Sequence, residues 1–132
     1  MGSKTEVNVH KYGGQPLEPP YGYESEISAF LAWVQLERGL SRHTVESYET
    51  DLIQCACFLG QNGSSNWQSI TLEQVSSWIS SLTLDGYAVA SLARKLSALR
   101  MLARYLVGEG KLENYFTELL SNPKKGRFLP HA

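Results

Sequence analysis

No run of about 18 apolar residues occurs in the 132-residue chain, so no segment is long and apolar enough to cross a membrane as a helix. The N-terminus has no basic stretch followed by an apolar one, so it is not expected to be a secretory signal. Cysteine is scarce: Cys55 and Cys57 stand one residue apart, where a disulfide between them would be badly strained. No Cys or His cluster completes a zinc site, and both thiols are expected as small apolar residues of a helix in a reducing, cytoplasmic compartment. The three histidines, His10, His43 and His131, are dispersed. No Ser/His/Asp grouping, paired-carboxylate motif, P-loop or dinucleotide loop occurs, so no catalytic residue and no cofactor or metal site is expected. Alternation of apolar and polar residues is also missing over any useful length, which argues against a sheet. Charged residues make up only 19% of the chain and hydrophobic ones 42%, enough for a packed core and too much for global disorder.

What is present is helical periodicity. Residues 1–23 carry Gly13-Gly14, Pro16, Pro19-Pro20 and Gly22 and read as a flexible arm. From Glu24 onward Ile27, Phe30, Leu31 and Val34 follow the i, i+3, i+4, i+7 pattern, and Gly39 stops this first helix. Ser41 is an N-cap for a second helix, along which Val45, Tyr48, Leu52, Cys55 and Leu59 make one stripe. Thr71 and Gln74 form a capping box for a third helix with Leu72, Val75, Ile79 and Leu82 inward. After an Asp85-Gly86 turn, Val89, Leu92, Leu96, Leu99, Ala103 and Leu106 define a fourth helix over 89–107, with Ala88 offering no side-chain cap. A short fifth helix is expected over 114–120. The fold class is therefore all-α, a compact bundle of four main helices plus a short C-terminal one, occupying 24–120. Trp33, Trp67 and Trp78 are expected to pack rather than to present stacking platforms.

Net charge is −1, but its distribution is uneven. Residues 1–87 hold 4 Lys/Arg and 10 Asp/Glu, whereas 88–132 hold 8 and 3, so an anionic partner would meet the C-terminal third. With Leu92, Leu96, Leu99 and Ala103 on the core side, the far face of the fourth helix carries Ala90, Arg94, Ser97, Arg100, Met101 and Arg104. An ordinary solvated face mixes Glu with Lys; this one has three arginines, small residues and no acid. Arginine offers forked donors to phosphate or guanine, and small residues let a helix backbone enter a major groove. The second helix opens with Arg42, His43 and Thr44, where free N–H groups favour phosphate, and continues with Ser47, Thr50, Gln54 and Cys57 on its exposed face, flanked by Glu46 and Glu49. Residues 123–130 form a basic exit containing Lys124, Lys125 and Arg127.

The stretch Glu26 to Leu129 resembles the N-terminal core-binding domain of tyrosine recombinases, the phage-integrase or Xer-like group. Four passages carry the resemblance: Gly39-Leu40-Ser41-Arg42-His43-Thr44 with Tyr48 and Asp51-Leu52; Ile70-Thr71 with Val75 and Ile79; Ser91 to Arg100; and Tyr105 to Gly110 with Pro123-Lys124 and Leu129-Pro130. The resemblance implies a SAM-like helical bundle that clamps one face of a double-stranded recombination half-site through helices two and four. By position it points to Arg42, His43, Thr44 and Ser47, and to Ala90, Arg94, Ser97, Arg100 and Arg104; phosphate contacts are expected from Arg94, Arg100, Arg104, Lys124, Lys125 and Arg127, with register set in the major groove by the fourth helix. It implies recombinase protomers meeting in a synaptic tetramer for DNA integration and recombination, and a monomer for the domain alone. The family's catalytic arginines, lysine, histidines and tyrosine nucleophile belong to a further C-terminal domain, so residues 121–132 are expected as the start of an interdomain linker and these 132 residues as no enzyme in themselves. Strand exchange in the family needs no metal or organic cofactor, because the tyrosine becomes the covalent carrier. The rival reading is a helical module that binds protein rather than DNA, through Met101, Tyr105, Tyr115 and Phe116. A stand-alone helix-turn-helix repressor fits the long helices poorly.

Overall fold

The apolar stripes of the sequence become four α-helices. In the computed structural model, which describes residues 11–12, 15–16 and 18–113, α1 spans Glu24–Glu37, α2 Arg42–Gln61, α3 Leu72–Leu84 and α4 Val89–Gly108. A single 3₁₀ turn at Trp67–Ser69 precedes α3. Ahead of α1 lies a two-residue antiparallel ladder, β1 (Lys11–Tyr12) with β2 (Gln15–Pro16), too short to bury a face of its own. The class is all-α, and the fifth helix expected over 114–120 and the linker expected over 121–132 lie outside the described residues.

Local chemistry sets the helix boundaries. Thr44 N–H donates to the Ser41 hydroxyl at 3.1 Å and opens α2. The capping box forms as expected: Gln74 N–H donates to Thr71 Oγ1 at 3.1 Å and Thr71 N–H to Gln74 Oε1 at 2.9 Å. Gln74 does more than cap, because Ser64 donates to its Oε1 and its Nε2 donates to the Asn62 carbonyl, tying the α2–α3 loop down. Ala88 provides no side-chain cap to α4, as its chemistry requires. At the other end α4 runs one residue past Val107, and the left-handed residue is Gly110 at φ +75°. Lys111 N–H then reaches back to the Leu106 carbonyl at 2.8 Å, a closure that a Cβ at that φ would strain.

The core takes Ile27, Phe30 and Val34 from α1, Leu52, Cys55 and Leu59 from α2, Val75, Trp78 and Leu82 from α3, and Leu92, Leu96, Leu99 and Leu106 from α4. Trp67 and Trp78 are buried within it, and Trp33 packs against its edge. Several stripe positions depart from expectation. Leu31, Val45, Tyr48, Leu72 and Ile79 are half-buried, and Val89, the first residue of α4, is exposed. On α2, Thr50 is buried rather than exposed, its hydroxyl donating back to the Glu46 carbonyl at 3.2 Å, and Cys57 is half-buried.

The clearest difference lies at the end of the expected arm. Tyr23 is fully buried, its ring edge-on to Trp67 with centroids 5.0 Å apart, and its carbonyl accepts from Trp67 Nε1 at 3.1 Å. The chain from Glu18 lies along α2: Cys57 Sγ donates to the Glu18 carbonyl, and Pro20 sits over Gly60, where a Cβ would come within 2.9 Å of its ring. A glycine inside a helix is normally a cost; here it makes room for Pro20 of the incoming segment. The core thus begins before the first periodic residue, and Tyr23, in a Pro/Gly-rich stretch beside the exposed Tyr21, has no helical period to reveal it.

Burial pushes the Cys55 thiol well above its ordinary value, with the nearby Asp51 charge adding to it, and burial also raises Cys57. At neutral pH a thiol-alkylating reagent is expected to leave Cys55 unmodified in the native state and to label it on unfolding, as read by mass spectrometry; rapid native labelling would contradict this packing. Leu96→Ala is expected to lower unfolding free energy by about 2–5 kcal/mol in a urea titration, and a near-neutral result would contradict the placement of α4.

Candidate nucleic-acid interface

An acid and a base interrupt the two central stripes. Asp51 falls three residues after Tyr48 and four before Cys55; Lys95 falls three after Leu92 and four before Leu99. Helical spacing puts both on inward faces, and the bundle joins them. Lys95 Nζ lies 2.9 Å from Asp51 Oδ1, with the lysine side chain 4% exposed and the aspartate fully buried. Arg94 reaches the same carboxylate with two donors, Nε to Oδ2 at 2.9 Å and Nη2 to Oδ1 at 2.8 Å. The Lys95 ammonium also stands over the Tyr87 ring, 5.1 Å from its centroid.

These contacts fix how α2 and α4 run. Gln54 Nε2 donates to the Tyr87 hydroxyl at 2.9 Å, one turn along from the Asp51 cluster. Moving toward the C-terminus of α2 therefore moves toward the N-terminus of α4, and the helices are antiparallel. Thr44 and Met101 each lie seven residues, roughly 10 Å, beyond the Asp51–Arg94 contact in the same direction. The first turn of α2 and the 97–104 stretch of α4 consequently share one end of the bundle.

The expected site residues are distributed accordingly. Arg42, His43, Ser97 and Arg104 are exposed at that shared end; Thr44, Ser47 and Arg100 are half-buried there; Ala90 is exposed toward the other end of α4. Arg42 pairs with Glu46 at 3.3 Å, but both side chains are mostly exposed and such a pair holds neither firmly. Burial, and then the neighbouring charge of Arg104 one turn along, press Arg100 below the ordinary guanidinium value. Arg94 is not an unengaged side chain. It is 45% exposed and held by Asp51, whose hydrogen bonds are the main cause of its raised value. The face without an acid along α4 thus acquires one from α2. Lys124, Lys125 and Arg127 lie outside the described residues.

The positions considered for protein docking fare differently. Met101 and Tyr105 are half-buried against the core, and Tyr105 packs on Phe30 and Trp33 with centroids 5.8 and 5.2 Å away. Tyr115 and Phe116 are outside the described residues. Sequence reasoning missed Asp51 and Lys95 as a pair. The available signal was a lone acid and a lone base, each inside an otherwise apolar stripe. Among the described residues no group of three or more His, Cys, Asp or Glu could hold a metal ion, and no helix is long and apolar enough to cross a membrane.

Breaking the buried cluster should cost more than deleting it. Asp51→Ala leaves the Lys95 ammonium buried without its carboxylate and is expected to lose about 3–5 kcal/mol in chemical denaturation. Asp51→Ala with Lys95→Met is expected to lose distinctly less than Asp51→Ala alone; equal losses would mean that the lysine does not depend on the aspartate.

Comparison with known proteins gives a consistent result. The model of the phage integrase N-terminal SAM-like domain family matches residues 27–110. Tyrosine recombinase XerC of Herpetosiphon aurantiacus is 31% identical over 109 residues, 83% of this chain and 36% of that protein. Tyrosine recombinase XerD of Agrobacterium fabrum is 35% identical over 117 residues, 89% of this chain and 34% of the relative. Tyrosine recombinase XerC of Pseudomonas aeruginosa is 34% identical over 108 residues, 82% and 36% respectively. The chain spans about a third of the length of these relatives. No solved structure matches.

Proposed function

The chain belongs to the phage integrase N-terminal SAM-like domain family, and on that premise we propose that it binds double-stranded DNA as the core-binding part of a site-specific tyrosine recombinase in the cytoplasm. The domain grips a recombination half-site with the first turn of α2 and the outward face of α4. It does no chemistry of its own; integration or recombination belongs to a full-length recombinase whose protomers meet in a synaptic tetramer.

One observation carries this reading. Antiparallel packing brings Arg42 and His43 of α2 to the same end of the bundle as Ser97, Arg100 and Arg104 of α4, which supports a shared contact region for an anionic partner there. Phosphate contacts from these arginines supply most of the affinity, and the small residues Ala90 and Ser97 allow α4 to approach the groove floor. The protein-docking alternative has less support, because Met101 and Tyr105 are partly covered by packing against the core.

Titration of this domain with a random-sequence duplex at several salt concentrations tests the reading. Affinity should fall steeply as salt rises. Arg42→Ala combined with Arg104→Ala should weaken binding and flatten the slope of log affinity against log salt by about 0.9 for each phosphate that is no longer neutralised, with the thermal melt unchanged. Undiminished binding by the double variant, or no binding by the parent chain at low salt, would sink the proposal.

A further inference from the structure

Arg94 differs from the other arginines of α4 in how it is held. A guanidinium carries five N–H donors in two parallel forks and one remaining N–H. In Arg94 the side-on fork, Nε with one N–H of Nη2, is taken by the two oxygens of Asp51 at 2.9 and 2.8 Å. That carboxylate is fully buried and is itself fixed by Lys95 at 2.9 Å. The guanidinium plane is therefore set by the core and not by solvent. The end-on fork of Nη1 and Nη2 remains, on a side chain that is 45% exposed. On the helix surface Arg94 is flanked one turn either side by Ala90 and Ser97, both exposed and both short. An arginine drawn back toward a buried acid reaches only what comes close, and short neighbours permit that approach. A fixed planar fork at close range suits an acceptor pair of defined geometry. A flexible arginine suits a phosphate equally well, so fixing one for that purpose gains little. The three charges sum to +1, so the cluster keeps attraction for DNA while its orientation is locked.

We propose that Arg94, oriented by Asp51 and Lys95, presents its second donor fork to the O6/N7 edge of a guanine in the major groove and so contributes sequence discrimination more than general affinity. The proposal rests on the DNA-binding reading above. Arg94 is the contacting residue; Asp51 and Lys95 are positioning residues.

The test is selection of duplexes from a randomised pool by the 132-residue chain, by Arg94→Lys and by Asp51→Asn, with circular dichroism to confirm that each is folded. The parent chain should retain duplexes sharing a fixed guanine. Arg94→Lys, which keeps the charge and loses the fork, should reduce discrimination at that base pair by roughly 5- to 150-fold while still binding DNA. Asp51→Asn should show the same loss at that base pair with Arg94 present and, unlike a loss of fold, should leave overall affinity for DNA in place. If Asp51→Asn fails to fold, the Arg94→Lys arm decides. Replacing that guanine by 7-deazaguanine should weaken the parent chain more than Arg94→Lys, whose ammonium lacks the planar fork. Uniform weakening with the base preference intact would assign Arg94 to a phosphate and overturn the proposal, as would a parent pool without a fixed guanine. A parent chain that retains no duplex at low salt would instead remove the DNA-binding reading itself.

Discussion

A single fully buried carboxylate organises this bundle. Asp51 accepts three short charge-assisted bonds, two from Arg94 and one from Lys95, and so joins the middle of α2 to the middle of α4. Taking three charges out of water is expensive, and a well-packed apolar replacement could match it in stability. What an apolar contact could not match is direction. Leucines tolerate small slides of one helix past another; a bidentate ion pair fixes both the axial position and the rotation of the two helices. The relative placement of the candidate DNA-contacting segments depends on that fix.

The rest of the molecule can be understood as support for this pair. Asp51 and Lys95 are both buried, and the low dielectric there strengthens the bonds between them. The Glu18–Tyr23 segment closes the far end of α2, with Gly60 shaped to receive Pro20. The Thr71–Gln74 box and its bonds to Ser64 and Asn62 set where α3 leaves the α2 loop, and hence where α4 begins. A chain of net charge −1 can then still present a basic face, because its acids lie mostly before residue 88 while Arg100 and Arg104 stand together on α4.

Much of the fold was legible beforehand. The four helices, the Ser41 cap, the Thr71–Gln74 box and the inward residues Leu52, Leu92, Leu96 and Leu99 all follow from spacing and local hydrogen-bond chemistry. Tyr23 was not legible, since nothing local distinguishes it from the exposed Tyr21 two residues earlier and the Pro/Gly-rich stretch carries no helical period. Thr50 was placed outside because it lies on the polar side of the α2 stripe, yet it is buried there. Of the site, exposure of Arg42, His43, Ser97 and Arg104 agrees with the helical wheel; the engagement of Arg94 does not.

The sequence by itself determined the class, the helix count within the described residues, their boundaries and the resemblance to recombinase core-binding domains. These are properties of one segment at a time, because periodicity and capping act over three or four residues. Tertiary structure alone decided that Asp51 meets Arg94 across 43 residues of chain, that α2 and α4 run antiparallel, and that their basic ends coincide. A charge inside an apolar stripe announces that it needs a partner. Which partner it finds depends on how the helices pack, and no local pattern encodes that.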